Sequence, residues 1–234
     1  MKLHVGTSGY GYKEWKGIFY PERISPKEML RFYGERFNSV EINYTYHHMP
    51  TERLLAPWAE QVPETFTFVF KAPQVITHVK RLKEVNEEAD YFFRTVALLG
   101  GRLGAVLLQF PAFFRVNLPR LGAFLDFIPG DVRCAFEFRS PTWAEAGVAD
   151  ILRDRGHCLC TADMDESPAS GIAGAAPWGY LRLRRAGYAD ADLAQWVERI
   201  QGQQWERAFV FFKHEEEAMG PKLALRFREL AGQG

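Results

Sequence analysis

The sequence predicts an α/β fold, a (β/α)8 TIM-type barrel that forms a single domain over residues 1–234. Three observations predict it. Eight short apolar runs read as strands, and stretches with helical spacing or helix punctuation lie between most of them. Seven of those runs close on charged or amide side chains, as strands do whose C-terminal ends build an active-site mouth. The length of 234 residues suits one barrel of this kind, which takes about 250.

The first run, 3–7, leads into a long loop, after which Ser25-Pro26 opens a helix carrying Met29, Leu30, Phe32 and Tyr33. The second, 40–45, is followed by Thr51 and then Leu54, Leu55 and Trp58. After the third, 66–71, Asn86 precedes Tyr91, Phe92, Val96 and Leu99; after the fourth, 105–110, Asn117 precedes Leu118, Leu121, Phe124, Leu125 and Ile128. The fifth, 134–139, gives way to Ser140-Pro141 before Trp143 and Ile151. The sixth, 158–163, is followed by a link, 164–177, rich in Gly, Ala and Ser and expected to hold little helix. The seventh, 179–184, precedes a helix opened by Asp190 and Asp192, with Trp196, Val197 and Ile200. The eighth, 209–213, precedes Gly220-Pro221 with Leu223, Phe227 and Leu230. An open doubly wound sheet is the competing arrangement, but Gly6-Thr7-Ser8-Gly9-Tyr10-Gly11 fits neither a dinucleotide fingerprint nor a P-loop.

With 29 basic and 29 acidic residues the chain has no global positive field to draw it onto a polyanion, so any such binding has to be local. Cys134, Cys158 and Cys160 lie inside apolar runs and read as reduced thiols of a cytoplasmic protein, with Cys158 and Cys160 on an outward strand face. The first residues enter a strand directly, so neither a secretory signal nor a membrane partner is expected.

Alternate strand residues point to opposite faces, and that parity locates the candidate site. Glu41 and Asn43 share a face opposite Val40 and Ile42; Lys71 opposes Phe66, Phe68 and Phe70; Gln109 opposes Val106, Leu108 and Phe110. Glu137 and Arg139 oppose Cys134, Phe136 and Phe138, and Arg182 and Arg184 oppose Leu181 and Leu183. Asp163 is placed with Thr161 and Leu159, and Lys213 ends the last run. Helices pack on the bulky face, so the polar set turns inward, at the C-terminal strand ends. There three acids, Glu41, Glu137 and Asp163, meet five bases, Lys71, Arg139, Arg182, Arg184 and Lys213. A satisfied ion network that merely plugs the barrel is the structural reading. The functional one is an anion pocket in which Arg139 and Arg182 clamp a carboxylate or phosphate, while Glu41 or Glu137 moves a proton. Lys71 supplies either a point charge or an amine nucleophile.

The loop after Ser8 contains Tyr12, Trp15 and Tyr20, which either cover the mouth and stack on a ligand ring or pack as a plug. The histidines His47, His48, His78 and His214 lack metal-ligand spacing, and no cofactor is specified.

Taken together, Gly6-Thr7-Ser8-Gly9, Trp15 with Phe19-Tyr20-Pro21, Val40-Glu41-Ile42-Asn43, Lys71-Ala72-Pro73, Leu108-Gln109-Phe110-Pro111, Glu137-Phe138-Arg139 and Tyr180-Leu181-Arg182 resemble the YecE-like family, domain of unknown function 72. The resemblance implies a TIM-type barrel and brings no established activity. His48, Arg184-Arg185 and Lys213-His214-Glu215 depart from that family's pattern. The expected function is binding of a small anionic or phosphorylated ligand, with acid/base catalysis by Glu41 and Glu137. The alternatives are a nucleic-acid-binding or repair-like barrel and a non-catalytic binding protein.

Overall fold

Strands that carry bulky side chains on one face and small or polar ones on the other curl into a cylinder, with the bulky face turned to surrounding helices. The computed structural model, which describes residues 1–144, 147–173 and 176–233, has this form. Its strands are β1 (Lys2–Thr7), β2 (Ser39–Ile42), β3 (Thr67–Lys71), β4 (Leu103–Phe110), β5 (Cys134–Phe138), β6 (Cys158–Asp163), β7 (Trp178–Leu183) and β8 (Arg207–Phe212). All pairings are parallel, in the order β1-β8-β7-β6-β5-β4-β3-β2, a nearly closed (β/α)8 barrel.

Between them run α1 (Met29–Gly34), α2 (Glu52–Glu60), α3 (Asn86–Ala97), α4 (Leu118–Leu125), α5 (Val148–Arg153), α6 (Asp190–Gln201) and α7 (Met219–Leu230). Asn117 caps α4 by accepting the Arg120 amide at 3.0 Å, as its position before the apolar run predicts. The outward strand residues, Phe66, Phe68, Phe70, Val106, Leu108, Phe136, Leu181 and Phe212 among them, form one core with the inner faces of the helices. A second cluster fills the cylinder, built from Val69, Ala105, Leu107, Ala135, Tyr180, Phe209 and Phe211 together with Cys158 and Cys160.

Two expectations are corrected here. The alternation Val-Glu-Ile-Asn-Tyr-Thr reads as a strand to residue 45, but β2 ends at Ile42 and Tyr44–Tyr46 is a turn of 3-10 helix. Thr45 Oγ1 donates to the Lys71 carbonyl at 2.7 Å and fixes that turn against the end of β3. In β6 the phase is reversed: Cys158 and Cys160 point into the cylinder, and Leu159, Thr161 and Asp163 point out. No helix is present among the described residues between β6 and β7, and polar groups hold the connection instead. Thr161 Oγ1 accepts the Ala173 amide at 2.8 Å, and Asp163 Oδ1 accepts the Ala169 amide at 3.0 Å. Residues 174 and 175 of this link lie outside the described residues.

The cylinder closes differently between β1 and β2. There the Asn38 side chain accepts the Val5 amide at 2.9 Å and donates to the Leu3 carbonyl at 3.0 Å. The Tyr33 hydroxyl, from α1, accepts the Thr7 amide at 2.7 Å and donates to the Ser39 carbonyl at 3.2 Å. Gly6 is required at this seam, because a Cβ would stand 2.0 Å from the Ser39 carbonyl oxygen. Direct backbone contact resumes only at the top, where the Gly9 amide donates to the Glu41 carbonyl at 2.8 Å.

Candidate functional site

Pairing between β4 and β5 runs up to Phe110 and Phe138, and pairing between β6 and β7 runs up to Asp163 and Leu183. Between β5 and β6 it stops at Phe136 and Leu159. The two strands splay above that level, and the helix-free connection after β6 arches over the gap. A cavity of about 970 Å³ results, lined by Glu137, Arg139, Cys160 and Arg184 with residues 164–173 of the connection. It opens at the C-terminal strand ends, where barrels carry their chemistry.

At its floor lies a charged network. Arg182, 1% exposed, donates from Nη2 to Glu41 Oε1 at 2.8 Å and from Nη1 to Glu137 Oε2 at 2.7 Å. The Tyr180 hydroxyl donates to Glu41 Oε2 at 2.6 Å, and Gln109 Nε2 donates to Glu137 Oε1 at 2.7 Å. Lys71 Nζ donates to Gln109 Oε1 at 2.7 Å and lies 4.1 Å from the centre of the Tyr46 ring. Arg139 Nε reaches Glu137 Oε1 at 3.3 Å, and Asn43 Nδ2 reaches Glu41 Oε1 at 3.4 Å.

Burial alone pushes both carboxyls upward in pKa, but the Arg182 charge and the converging donors outweigh it. Glu41 is held below the usual range, and Glu137 is held at about 2. Both are therefore ionised at neutral pH with their lone pairs occupied, so neither is poised to give up a proton. Lys71 moves the other way: burial, then the Arg182 charge, bring its amine from 10.5 down to about 8. Burial, then Arg182, also lowers Arg184, whose guanidinium has no hydrogen-bond or ion-pair partner among the described residues.

The structure thus brings Glu41, Asn43, Lys71, Gln109, Glu137, Arg139 and Arg182 into one contiguous set, with Arg184 on the cavity wall. Ser8 joins it as a buried residue facing Glu41 across the seam, its hydroxyl short of hydrogen-bond geometry. Arg182 does not form one jaw of an anion clamp, because both its terminal nitrogens are committed to the glutamates. Asp163 is not in the set: its carboxylate accepts the Tyr188 hydroxyl at 2.9 Å and pairs with Arg185 at 3.0 Å on the outer side of β6. Lys213 stands apart beside Glu215 at 3.7 Å. Trp15 is also corrected, since it is 1% exposed, packs against Tyr12, Phe19 and Tyr20, and donates its indole N–H to the Glu215 carbonyl at 2.9 Å. Tyr12 lies on Trp15 with its hydroxyl bonded to the Ser8 carbonyl at 2.7 Å, so the aromatic loop is a plug in itself.

Sequence reasoning missed three members. Tyr180 shares the inward face with Arg182 and Arg184 in the alternation but bears no charge to mark it, and the alternation turns Cys160 outward when it points inward. Tyr46 lies one residue past the run read as a strand, at the end of the 3-10 turn. Among the described residues no group of three His, Cys, Asp or Glu side chains is arranged to hold a metal ion, and no helix is long and apolar enough to cross a membrane.

The model of the family described as "Protein of unknown function DUF72" matches residues 4–234. The chain belongs to the DUF72 family. It is 34% identical over 155 residues to the UPF0759 protein YecE of Escherichia coli K12, covering 66% of this chain and 54% of that protein. It is 29% identical over 150 residues to the UPF0759 protein YunF of Bacillus subtilis, covering 60% and 52%. The matched stretches thus span about half the length of these curated relatives. Among solved structures, a DUF72 family protein of Thermotoga maritima superposes with a TM-score of 0.85 at 26% identity, covering 99% of this chain and 100% of that one. A DUF72 family protein of Enterococcus faecalis, at 17% identity and a TM-score of 0.80 over 99% and 96% of the two chains, shares the fold.

Proposed function

We propose that this DUF72 barrel binds a small anion, a carboxylate or phosphate, in the cavity between the splayed ends of β5 and β6. The observation that carries the reading is a charge imbalance. Two buried carboxylates, Glu41 and Glu137, face four cations, Lys71, Arg139, Arg182 and Arg184. Arg182 bridges the two carboxylates and cancels one of their two charges, while Arg139 and Arg184 stand at the cavity wall as the groups that meet a ligand. A guanidinium at a partly dry wall gains more from a two-pronged anion than one in open water. Glu41 and Glu137 act as a fixed counter-charge in this reading, and acid/base work at neutral pH falls to Lys71.

Inorganic phosphate at constant ionic strength should raise the melting temperature, and Arg184→Ala or Arg139→Ala should remove most of the rise. A midpoint that follows sodium chloride and phosphate alike would sink the proposal. Burial of Trp15 and Tyr20, with Tyr12 half-buried beside them, favours the small-anion reading over a nucleic-acid-binding one.

A further inference from the structure

We infer that Lys71 forms an imine with the ligand of this mouth, which makes that ligand an anionic carbonyl compound: an aldehyde or ketone that also bears a carboxylate or phosphate. The inference rests on the anion-binding reading and adds the ligand's second functional group.

Lys71 lacks the two partners most of its fellow lysines have, open water and a carboxylate. Lys80, Lys83 and Lys213 each stand within 4 Å of a glutamate, Lys2, Lys13, Lys27 and Lys222 are exposed, and Lys16 donates to the Ile24 carbonyl. The charges of two buried carboxylates, Glu41 and Glu137, act on Lys71, yet among the described residues it pairs with neither. Arg182 occupies both, and the Lys71 nitrogen is left with the neutral Gln109 carbonyl oxygen and the face of Tyr46. Gln109 Nε2 is turned to Glu137, which fixes the amide so that its oxygen faces the lysine. An amine held this way sheds its proton more readily than one in a salt bridge. The charges around it agree: Arg182 from β7 and Arg139 beyond β5 disfavour the ammonium, Glu41 and Glu137 favour it, and burial decides the balance. His78, on the turn after β3, is itself shifted below its usual value by burial and then by Lys71.

Arg139 supplies the other half. Its Nε is engaged by Glu137, the same carboxylate that holds Gln109, while its terminal nitrogens have no partner among the described residues. The Arg139 charge is close enough to act on the Lys71 amine, so in this inference a ligand anchored by its anion on those nitrogens presents its carbonyl to the Gln109-bound amine. The neutral amine attacks the carbonyl carbon, forming the C–N bond as the C=O pair moves to oxygen and takes a proton. Nitrogen then loses one proton, its pair forms C=N as the C–O bond breaks, the departing hydroxide takes up a proton to leave as water, and the iminium nitrogen gives up its second proton to leave the imine. One amine and one carbonyl yield one imine and one water, with no oxidant or reductant.

Glyoxylate with cyanoborohydride at pH 8, followed by peptide mapping, tests this, because the chain's nine lysines provide eight internal references. Lys71 should be labelled at least about tenfold faster than the others, since a larger fraction of its amine is neutral. Its labelling should fall with a midpoint near pH 8, be slowed by inorganic phosphate and by Arg139→Ala, and vanish in Lys71→Arg. Equal labelling of all nine lysines overturns the inference. If phosphate still raises the melting temperature in that case, the anion reading survives alone. If phosphate has no effect on melting or labelling, the anionic ligand class falls with the reading it rests on.

Discussion

Arg182 shows how one side chain can define a site without touching a ligand. Its two terminal nitrogens join a carboxylate from β2 to one from β5 across the cylinder, where all three groups are buried. Removing one member of such a triad leaves unbalanced buried charge, whereas removing all the charge together is far milder. Arg182→Met should therefore cost about 3–5 kcal/mol in urea unfolding, and adding Glu41→Gln and Glu137→Gln should recover much of that loss. If the triple variant is no more stable than Arg182→Met, the network is not what holds these residues in place. At this scale much was legible: strand parity placed Glu41, Gln109, Glu137 and Arg182 on one inward face. What parity does not encode is who pairs with whom, and so Arg182 reads as a ligand clamp until the distances show it occupied.

At the scale of elements, β6 and the connection after it depart most from a repeating barrel. A helix would lay apolar residues on the outer face of β6, and the sequence has Thr161 and Asp163 there, bonded to the amides of Ala173 and Ala169. Parity reasoning assumes a bulky outer face, so it turns this strand the wrong way round. The end of β2 is hidden for a related reason, since its β-branched and aromatic alternation continues into a turn that the Thr45 bond fixes against β3. The seven helices, by contrast, were legible from punctuation and spacing. Because two side chains tether residues 164–173 over the cavity, Thr161→Val with Asp163→Ala should speed hydrogen exchange of the Ala169 and Ala173 amides by about tenfold or more, for loss of roughly 1–3 kcal/mol per tether. Unchanged exchange would mean that other contacts hold the arch.

The whole molecule is built to lose stability in acid. His4, inside the lower cylinder against Phe209 and Thr67, and His157, under β6, are both lowered by burial, then by neighbouring cations, to about 4. Each folded-state value lies below the unfolded one, so the contribution is full above pH 6.5 and is lost as pH falls toward 4. Each amounts to on the order of 3 kcal/mol at most. Glu137 follows with the same sign, losing its contribution between 4.5 and about 2. Denaturation measured from pH 7 to 4 should show falling stability, and His4→Gln with His157→Gln should flatten the upper part of that curve; an unchanged slope would assign the acid sensitivity elsewhere.

One joint of the cylinder differs in kind from the other seven. The others are closed by direct backbone pairing, along the strands or, between β5 and β6, at the base alone, and a width set by the peptide group is beyond the reach of mutation. Between β1 and β2 the gauge is instead the Tyr33 hydroxyl, set between Thr7 and Ser39 one and two residues from Ser8 and Glu41 at the rim, and below it the Asn38 amide on Val5 and Leu3. The bore of the barrel beneath its mouth is thus a heritable, adjustable dimension, open to change at Tyr33, Asn38 and Gly6 without altering any residue that would meet a ligand.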